Sequence, residues 1–411
     1  MNRSRVGLGV LLALVGVVST AVPGSSATGT DAGSAGTVAA GESAPFRLLS
    51  SPDFLNADVA DLGRGPGFWN PGRSENGINN SYRRALDRIL DDWAAREPAA
   101  VLVAGDLVNG RWGRDDRRIG TFGPVRTRGQ QRAAVRRAAR TYYPQWLERF
   151  REHGLEVFPS TGDHEYGDND WPREKRALAS TFAAAFAEHF TRTPSGSPRF
   201  ADHPTGRHAA TAYAWRPRAD VQVVSLDVFD ITPRAAHLRL DRPQLRWLKD
   251  VLRRARADGV TWTVVQGHTP VVGPVRSRGS SRLRYEGGPR SALWKVFRKF
   301  GVDVYLCGEA HAVTATTRDG ILQLTHGGAF QFGLTNYALL DFYGDRLEVT
   351  LNDYRMRVRD ARDGSRLWET VREGMRKVAL VTRVPVTVGT LTLGADGRVR
   401  ERTGILGAFR P

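Results

Sequence analysis

Short apolar runs alternate with amphipathic stretches along most of the chain, and this alternation predicts strands and helices taken in turn. The first predicted strand, over 46–51, ends at Asp53, and a helix follows over 79–95 with Tyr82, Leu86, Ile89, Leu90 and Trp93 at helical spacing. A buried-type strand over 99–104 ends in Gly105-Asp106. Residues 107–130 lack apolar periodicity and read as a long loop, followed by a helix through Gln145 to Phe150. The strand over 155–160 ends in Gly162-Asp163-His164-Glu165. The second half repeats the layout, with strands over 212–215 and 221–226, a helix over 241–258, and a strand over 262–265 ending in Gly267-His268. A helix over 291–300 then leads to a strand over 302–306 and Gly308-Glu309-Ala310-His311. Turns at Arg318-Asp319-Gly320 and Tyr343-Gly344-Asp345 predict hairpins, and β-rich stretches at 378–381 and 386–393 close the chain. The pattern is that of an α/β protein with largely parallel sheets, without an internal repeat.

The N-terminus departs from this pattern. Arg3 and Arg5 precede an apolar stretch from Val6 to Val18 and then small residues, the tripartite shape of a secretory signal peptide. The apolar stretch is short for a stable membrane span, an uncleaved anchor being the alternative, and Ser4 between the arginines argues against a twin-arginine signal. Residues 1–27 are therefore read as a signal peptide and 28–45, rich in Gly, Ser, Ala and Thr, as a flexible linker. A main domain over 46–350 and a β-rich C-terminal extension over 351–411 follow. The mature chain is expected to be exported, secreted or held at the cell envelope, and to lack a transmembrane helix.

Composition refines the picture in two places. With 411 residues and 41% hydrophobic content, the chain can bury a large core, and its one cysteine, Cys307, excludes an intramolecular disulfide framework. Cys307 ends an apolar run and reads as a buried small residue. The formal charge of +17 falls entirely after residue 45, because Arg3 and Arg5 are balanced by Asp31 and Glu42. Such a field attracts phosphate esters, nucleic acids or anionic polymers. A general arginine bias explains it as well, so charge alone leaves the partner open.

The chemistry resides in the five polar clusters. In open α/β sheets the loops at the carboxyl ends of strands form the ligand crevice, so these clusters are expected to converge. A glycine before Asp106 lets the backbone turn sharply there. Three adjacent ionisable residues, Asp163, His164 and Glu165, would be costly after a buried strand without a counter-charge. Taken singly, His268 and His311 are better explained as buried histidines with satisfied hydrogen bonds than as metal ligands.

Taken in order, the clusters resemble the calcineurin-like metallophosphoesterase superfamily, which includes the purple acid phosphatases. The resemblance covers about residues 46–340 and rests on Asp53 with Asn56, Gly105-Asp106, Gly162-Asp163-His164-Glu165, Gly267-His268 and Gly308-Glu309-Ala310-His311. Gln244, Trp247 and Leu248 match a helical segment of purple acid phosphatase-like members. The resemblance implies a four-layer α/β/β/α sandwich holding two metal ions at the shared edge of its sheets. It implies Asp106 as the bridging ligand, Asp53 and His311 on one ion, and Asp163, His268 and Glu309 on the other. His164 would assist the leaving group while water or hydroxide between the ions attacks phosphorus.

Three departures from the family pattern bear on the metals. Asp163 stands where Asn is usual and Glu309 where His is usual, so harder oxygen donors shift the expected ions toward Mn, Mg, Ca or oxidised Fe and away from Zn. Leu55 stands in place of a His in the first motif, leaving Asn56 or Asp58 as alternative ligands to Asp53. Asn109 and Arg111, just after the bridging Asp, are the expected phosphate donors, with Tyr166, His326 and the run Gly279-Ser280-Ser281 as further candidates. The reading that follows is a secreted metal-dependent hydrolase of phosphate esters. Its alternative is a secreted protein of the same fold with weak catalysis that binds an anionic ligand through its basic surface. Monoester or diester preference and oligomeric state are left open.

Overall fold

Two mixed sheets stack face to face because most central strands are apolar on both faces. The computed structural model describes residues 44–54, 80–108, 110, 112, 122–275, 280–327, 336–359, 377–380 and 384–407. In chain order the first half contains β1 (Phe46–Ser50), α1 (Asn80–Ala94), β2 (Ala100–Val103), α2 (Arg128–Glu152), β3 (Val157–Pro159), α3 (Arg173–Arg176) and α4 (Ala179–Phe190). Next come β4 (Tyr213–Arg218), β5 (Val221–Ser225), β6 (Phe229–Ile231), β7 (Ala236–Leu238), α5 (Arg242–Ala257), β8 (Trp262–Gln266), α6 (Ala292–Phe300) and β9 (Val304–Cys307). The chain closes with β10 (Thr314–Arg318), β11 (Ile321–Thr325), β12 (Tyr337–Phe342), β13 (Arg346–Asp353), β14 (Met356–Arg359), β15 (Lys377–Leu380), β16 (Val386–Gly394), β17 (Val399–Arg402) and α7 (Gly404–Gly407).

The first sheet has seven strands in the order β17-β16-β13-β12-β1-β2-β3, and the second has six in the order β10-β11-β9-β8-β5-β4. Alternate residues of each strand belong to different cores. Leu48, Leu102, Val223, Val264, Val304 and Leu306 meet between the sheets, while Leu49, Val101, Val224, Val265 and Tyr305 face the helices. That period-2 split, with apolar residues on both sides, is what stacks helix on sheet on sheet on helix.

The expectation of largely parallel sheets is corrected. In the first sheet only β1-β2 and β2-β3 are parallel, and the pairings from β1 through β12, β13, β16 and β17 are antiparallel. The second sheet is parallel through β5, β8, β9 and β11, with antiparallel edges at β4 and β10. The hairpin turns of the second half bring each strand back beside its predecessor, which only antiparallel pairing allows without a crossover. The C-terminal β-rich stretch supplies β16 and β17, which extend the first sheet.

Helices begin where capping side chains are available. Asp241 accepts from the Gln244 amide to start α5, and Ser291 accepts from the Trp294 amide to start α6. Helix α2 starts far earlier than its apolar signal at Gln145, because Thr127 and Gln130 form a reciprocal capping box. Its first half is arginine-rich and buries only Ala134, Val135, Ala138 and Ala139, and Pro144 lies inside it. Small alanines against the core left a weak periodic signal. Among the described residues no helix is long and apolar enough to cross a membrane.

A buried polar network ties the turn after β3 to the second sheet. The Tyr166 hydroxyl donates to Asp227 at 2.6 Å, and Gln244 brackets Asp227 through its backbone N–H (3.0 Å) and carbonyl (2.8 Å). His208 Nδ1 lies 3.0 Å from Asp227 and its Nε2 lies 3.8 Å from Asp241, with Arg207 nearby. Burial opposes charge on His208, but the two carboxylates outweigh it and raise its pKa in the folded protein. A raised folded pKa means the pair stabilises the fold fully below the unfolded value of about 6.5 and is lost as pH rises through the folded one. His208→Gln is therefore expected to cost about 2–4 kcal/mol at acidic pH and less at alkaline pH. Thermal unfolding of both proteins at pH 5.5 and pH 9 reads this directly, and an equal deficit at both would refute it.

Candidate metal centre

Parallel pairing decides where the acidic loops go. Because β1, β2 and β3 run side by side in one direction, the loops carrying Asp53, Asp106 and Asp163 leave the same edge of the first sheet. Parallel β8 and β9 in the second sheet release His268, Glu309 and His311 at their own common edge. Ligand atoms of Asp53, Asp106 and His311 all lie within 4.8 Å of one another, as do those of Asp106, Asp163 and His268. Asp106 belongs to both sets, so a cation held by each would share it. Glu309 Oε2 lies 3.6 Å from His268 Nε2, beside the second set.

The backbone bends to present these side chains. Among the described residues eight non-glycine positions have positive φ, and four of them are Asp53 (58°), Asp106 (60°), Glu309 (61°) and His311 (46°). Each costs about 1–2 kcal/mol for an L-residue. Strain concentrated on the ligand positions is what a preorganised site shows. Glycine is required for a different reason at two neighbours, because a Cβ at Gly162 would lie 2.1 Å from Asp106 Oδ1 and one at Gly308 would lie 2.6 Å from Asp53 Oδ2.

The donor set fits two cations. Asp53 Oδ2, Asp163 Oδ1 and His268 Nε2 are buried without a hydrogen-bond partner, although Nε2 and Oδ1 are only 3.0 Å apart. His268 Nδ1 lies 2.9 Å from the Ala104 carbonyl, which can only accept, so Nδ1 carries a proton and Nε2 is the nitrogen that faces the carboxylates. Burial opposes charge on this imidazole, but Asp106, Asp163, Glu309 and Asp53 outweigh it and hold its pKa well above the usual histidine range. Burial pushes Asp53 up to about 7, opposed by His268, and pushes Asp106 well above the carboxylate range with Asp163 adding to it. These shifts mark a site with more buried negative charge than its own side chains neutralise.

One carboxylate stands apart. Glu165 is 1% exposed and accepts from the backbone N–H groups of Gly162 (2.6 Å), Asp106 (2.8 Å), Leu107 (3.0 Å) and Val108 (3.4 Å). It clamps the loop after β2 to the loop after β3, and so sets the distance between Asp106 and Asp163. Sequence inspection marks Glu165 only as one of three adjacent ionisable residues. Asn169, which no sequence signal singles out, donates to Asp163 Oδ2 at 2.8 Å and bonds Ser281, so Ser281 does lie beside the centre. His164 stands at the rim, its Nε2 3.6 Å from Asp168 and 3.9 Å from Asp106.

Other expectations meet different outcomes. Tyr166 is buried with its hydroxyl committed to Asp227, and His326 is buried with Nε2 3.0 Å from the Ser50 hydroxyl, so neither is a phosphate donor. Burial pushes His326 down to about 3, which keeps it neutral. Cys307 is buried, and its thiol is pushed up to about 12, as a structural cysteine should be. Asn56, Asp58, Asn109, Arg111 and Gly279 lie outside the described residues, as do the signal peptide and most of the linker.

A family model described as calcineurin-like phosphoesterase matches residues 59–313. Among solved structures, PhoD aligns with a TM-score of 0.50 at 13% identity, covering 90% of this chain and 74% of its own. A dimetal phosphatase from Danio rerio aligns at 0.46 with 16% identity, covering 76% of this chain and 96% of its own. A purple acid phosphatase from yellow lupin (Lupinus luteus) seeds gives 0.44 and 13%, with 76% and 52% covered. Identities this low speak to fold alone. No curated protein matches the chain.

Proposed function

The chain belongs to the calcineurin-like phosphoesterase family, and from that premise we propose that it is an exported phosphoesterase in which Asp53, Asp106, Asp163, His268, Glu309 and His311 hold two metal ions and His164 serves the leaving group. That it is a metal-dependent hydrolase of phosphoric ester bonds follows from the family. The observation that carries the finer reading is the sharing of Asp106 between two donor sets, with His164 at their rim. When bound, the ion pair supplies Lewis acidity that lowers the pKa of water and draws charge from the phosphate.

The side chains do the rest. Asp106 fixes the spacing of the two donor sets, and its Oδ1 accepts the His164 backbone N–H at 3.0 Å, which seats that imidazole beside the centre. His164 holds a proton at Nε2, faced by Asp168 and Asp106, and passes it to the departing oxygen. Asn169 keeps Asp163 turned inward. With four carboxylates among the ligands, the shell favours hard ions such as Mn, Mg, Ca or ferric iron over Zn. The short apolar stretch after Arg3 and Arg5 supports export, and the +17 charge favours anionic esters, including polymers.

Leaving-group dependence tests the role of His164. His164→Ala is expected to slow hydrolysis of an alkyl phosphate about 10²-fold while leaving p-nitrophenyl phosphate, whose leaving group needs no proton, much less affected. Equal losses on both substrates would remove His164 from that role. Metal dependence follows from the same shell: the stripped protein is expected to regain activity with Mn more than with Zn, and Asp163→Asn with Glu309→His to reverse that order. Steady-state rates across a metal series measure it.

A further inference from the structure

Behind the metal centre, a cavity of about 380 Å³ opens between α2, α4 and β6. Its volume lies in the range of small-molecule pockets. Three arginines line it, Arg132, Arg176 and Arg207, and no carboxylate does. Arg207 is paired with Asp230 at 2.8 Å. The other two have no carboxylate partner among the described residues. Arg132 makes no ion pair with a described residue, and among the described residues Arg176 donates to the carbonyls of Trp171 (2.8 Å) and Pro233 (3.4 Å). Those carbonyls hold the guanidinium in place without neutralising it, so little side-chain entropy is left to lose on binding.

The rest of the wall is apolar. Phe229, Ile231, Ala179 and Ala183 contribute carbon surface, and Tyr166 offers its ring because its hydroxyl is bound to Asp227. Phe229 also separates the cavity from the metal centre, its ring 5.7 Å from Tyr166 on one side and 6.2 Å from His268 on another. We propose that this cavity binds a small amphipathic anion, with an aromatic or short-chain body on the Phe229 wall and one sulfonate, carboxylate or phosphate head between Arg132 and Arg176. Neither half of such a ligand is complete alone. The apolar wall offers an inorganic anion nothing, and a neutral aromatic leaves the two guanidiniums without a counter-charge, with only the weaker ring–cation attraction in its place.

Naphthalene-2-sulfonate, which has no ester bond to cleave, is a suitable probe, with binding read by isothermal titration calorimetry on the full chain. One molecule should bind with a Kd on the order of 0.1–1 mM, as expected for a ligand of its size. Arg132→Ala combined with Arg176→Ala should weaken binding at least about 10-fold, and Ala183→Trp, which fills the cavity, should abolish it. Arg136→Ala, one turn along α2 and outside the cavity, should leave it unchanged, as should Asp106→Asn. Naphthalene-2-methanol and inorganic sulfate should each bind at least about 10-fold more weakly than the probe. The proposal is overturned if the double arginine variant binds the probe as wild type does, or if sulfate binds equally well. It is also overturned if Asp106→Asn abolishes probe binding, because the probe would then occupy the metal centre. Arg132 is exposed and Arg176 half-buried, so their variant tests the idea even if Ala183→Trp does not fold.

Discussion

Asp106→Asn is expected to lower kcat/KM at least about 10³-fold, the scale of losing one electrostatic stabiliser at a reacting centre. The reason is position. Among the described residues Asp106 is the one common to the donor set with Asp53 and His311 and the set with Asp163 and His268, it is 2% exposed, and its two oxygens have different neighbours. Oδ1 accepts the His164 backbone N–H, while Oδ2 lies 3.4 Å from His268 Nε2. An amide of the same shape retains one acceptor and loses the charge that two cations share, so both donor sets are weakened at once. Rates with a monoester and a diester, together with metal content per chain, check this. Wild-type activity with two metals still bound would contradict the bridging position.

Glu165→Gln should act through the fold first and the chemistry second. Four backbone N–H groups from two loops converge on this one buried carboxylate. A glutamine offers one oxygen and turns an NH2 toward the remaining donors, so two of the four N–H groups lose their acceptor and meet a repelling donor. Buried donors left unsatisfied, together with the loss of a charge-assisted acceptor, are expected to cost about 3–5 kcal/mol of unfolding free energy. Calorimetry in the presence of a chelator isolates this from metal binding. Metal affinity should fall as well, by about 10- to 100-fold, as it does when groups that orient ligands are removed. A variant with unchanged stability and unchanged metal affinity would show that the two loops are held together by something else.

Much of the centre was legible because each ligand follows a buried strand directly. A strand's direction fixes where its last residue emerges, so apolar runs ending in Gly105-Asp106, Gly162-Asp163-His164 and Gly267-His268 announce their side chains locally. The same holds for the helices α5 and α6, whose caps and apolar stripes are adjacent in sequence. Helix α2 was half missed because alanines pack against the core without a strong apolar signal. Helix α4 is alanine-rich and β6 and β7 are three residues each, so none carries a strong periodic signal, and α4 and β6 build the arginine-lined cavity together with α2. Tyr166 and His326 were misread because their burial is a property of distant partners, Asp227 and Ser50, that proximity in sequence does not reveal.

The sequence by itself determined the alternation of most strands and helices, the family, and the carboxylate-rich character of the donor set, because these depend on residue type and short-range spacing. Tertiary structure alone decided that Glu165 clamps two loops instead of facing a cation, and that both sheets are mixed. It also placed Arg132, Arg176 and Phe229 around one cavity. Each of those outcomes depends on atoms brought together from residues tens to hundreds apart in the chain, where the folded geometry, and no local preference, sets the distance.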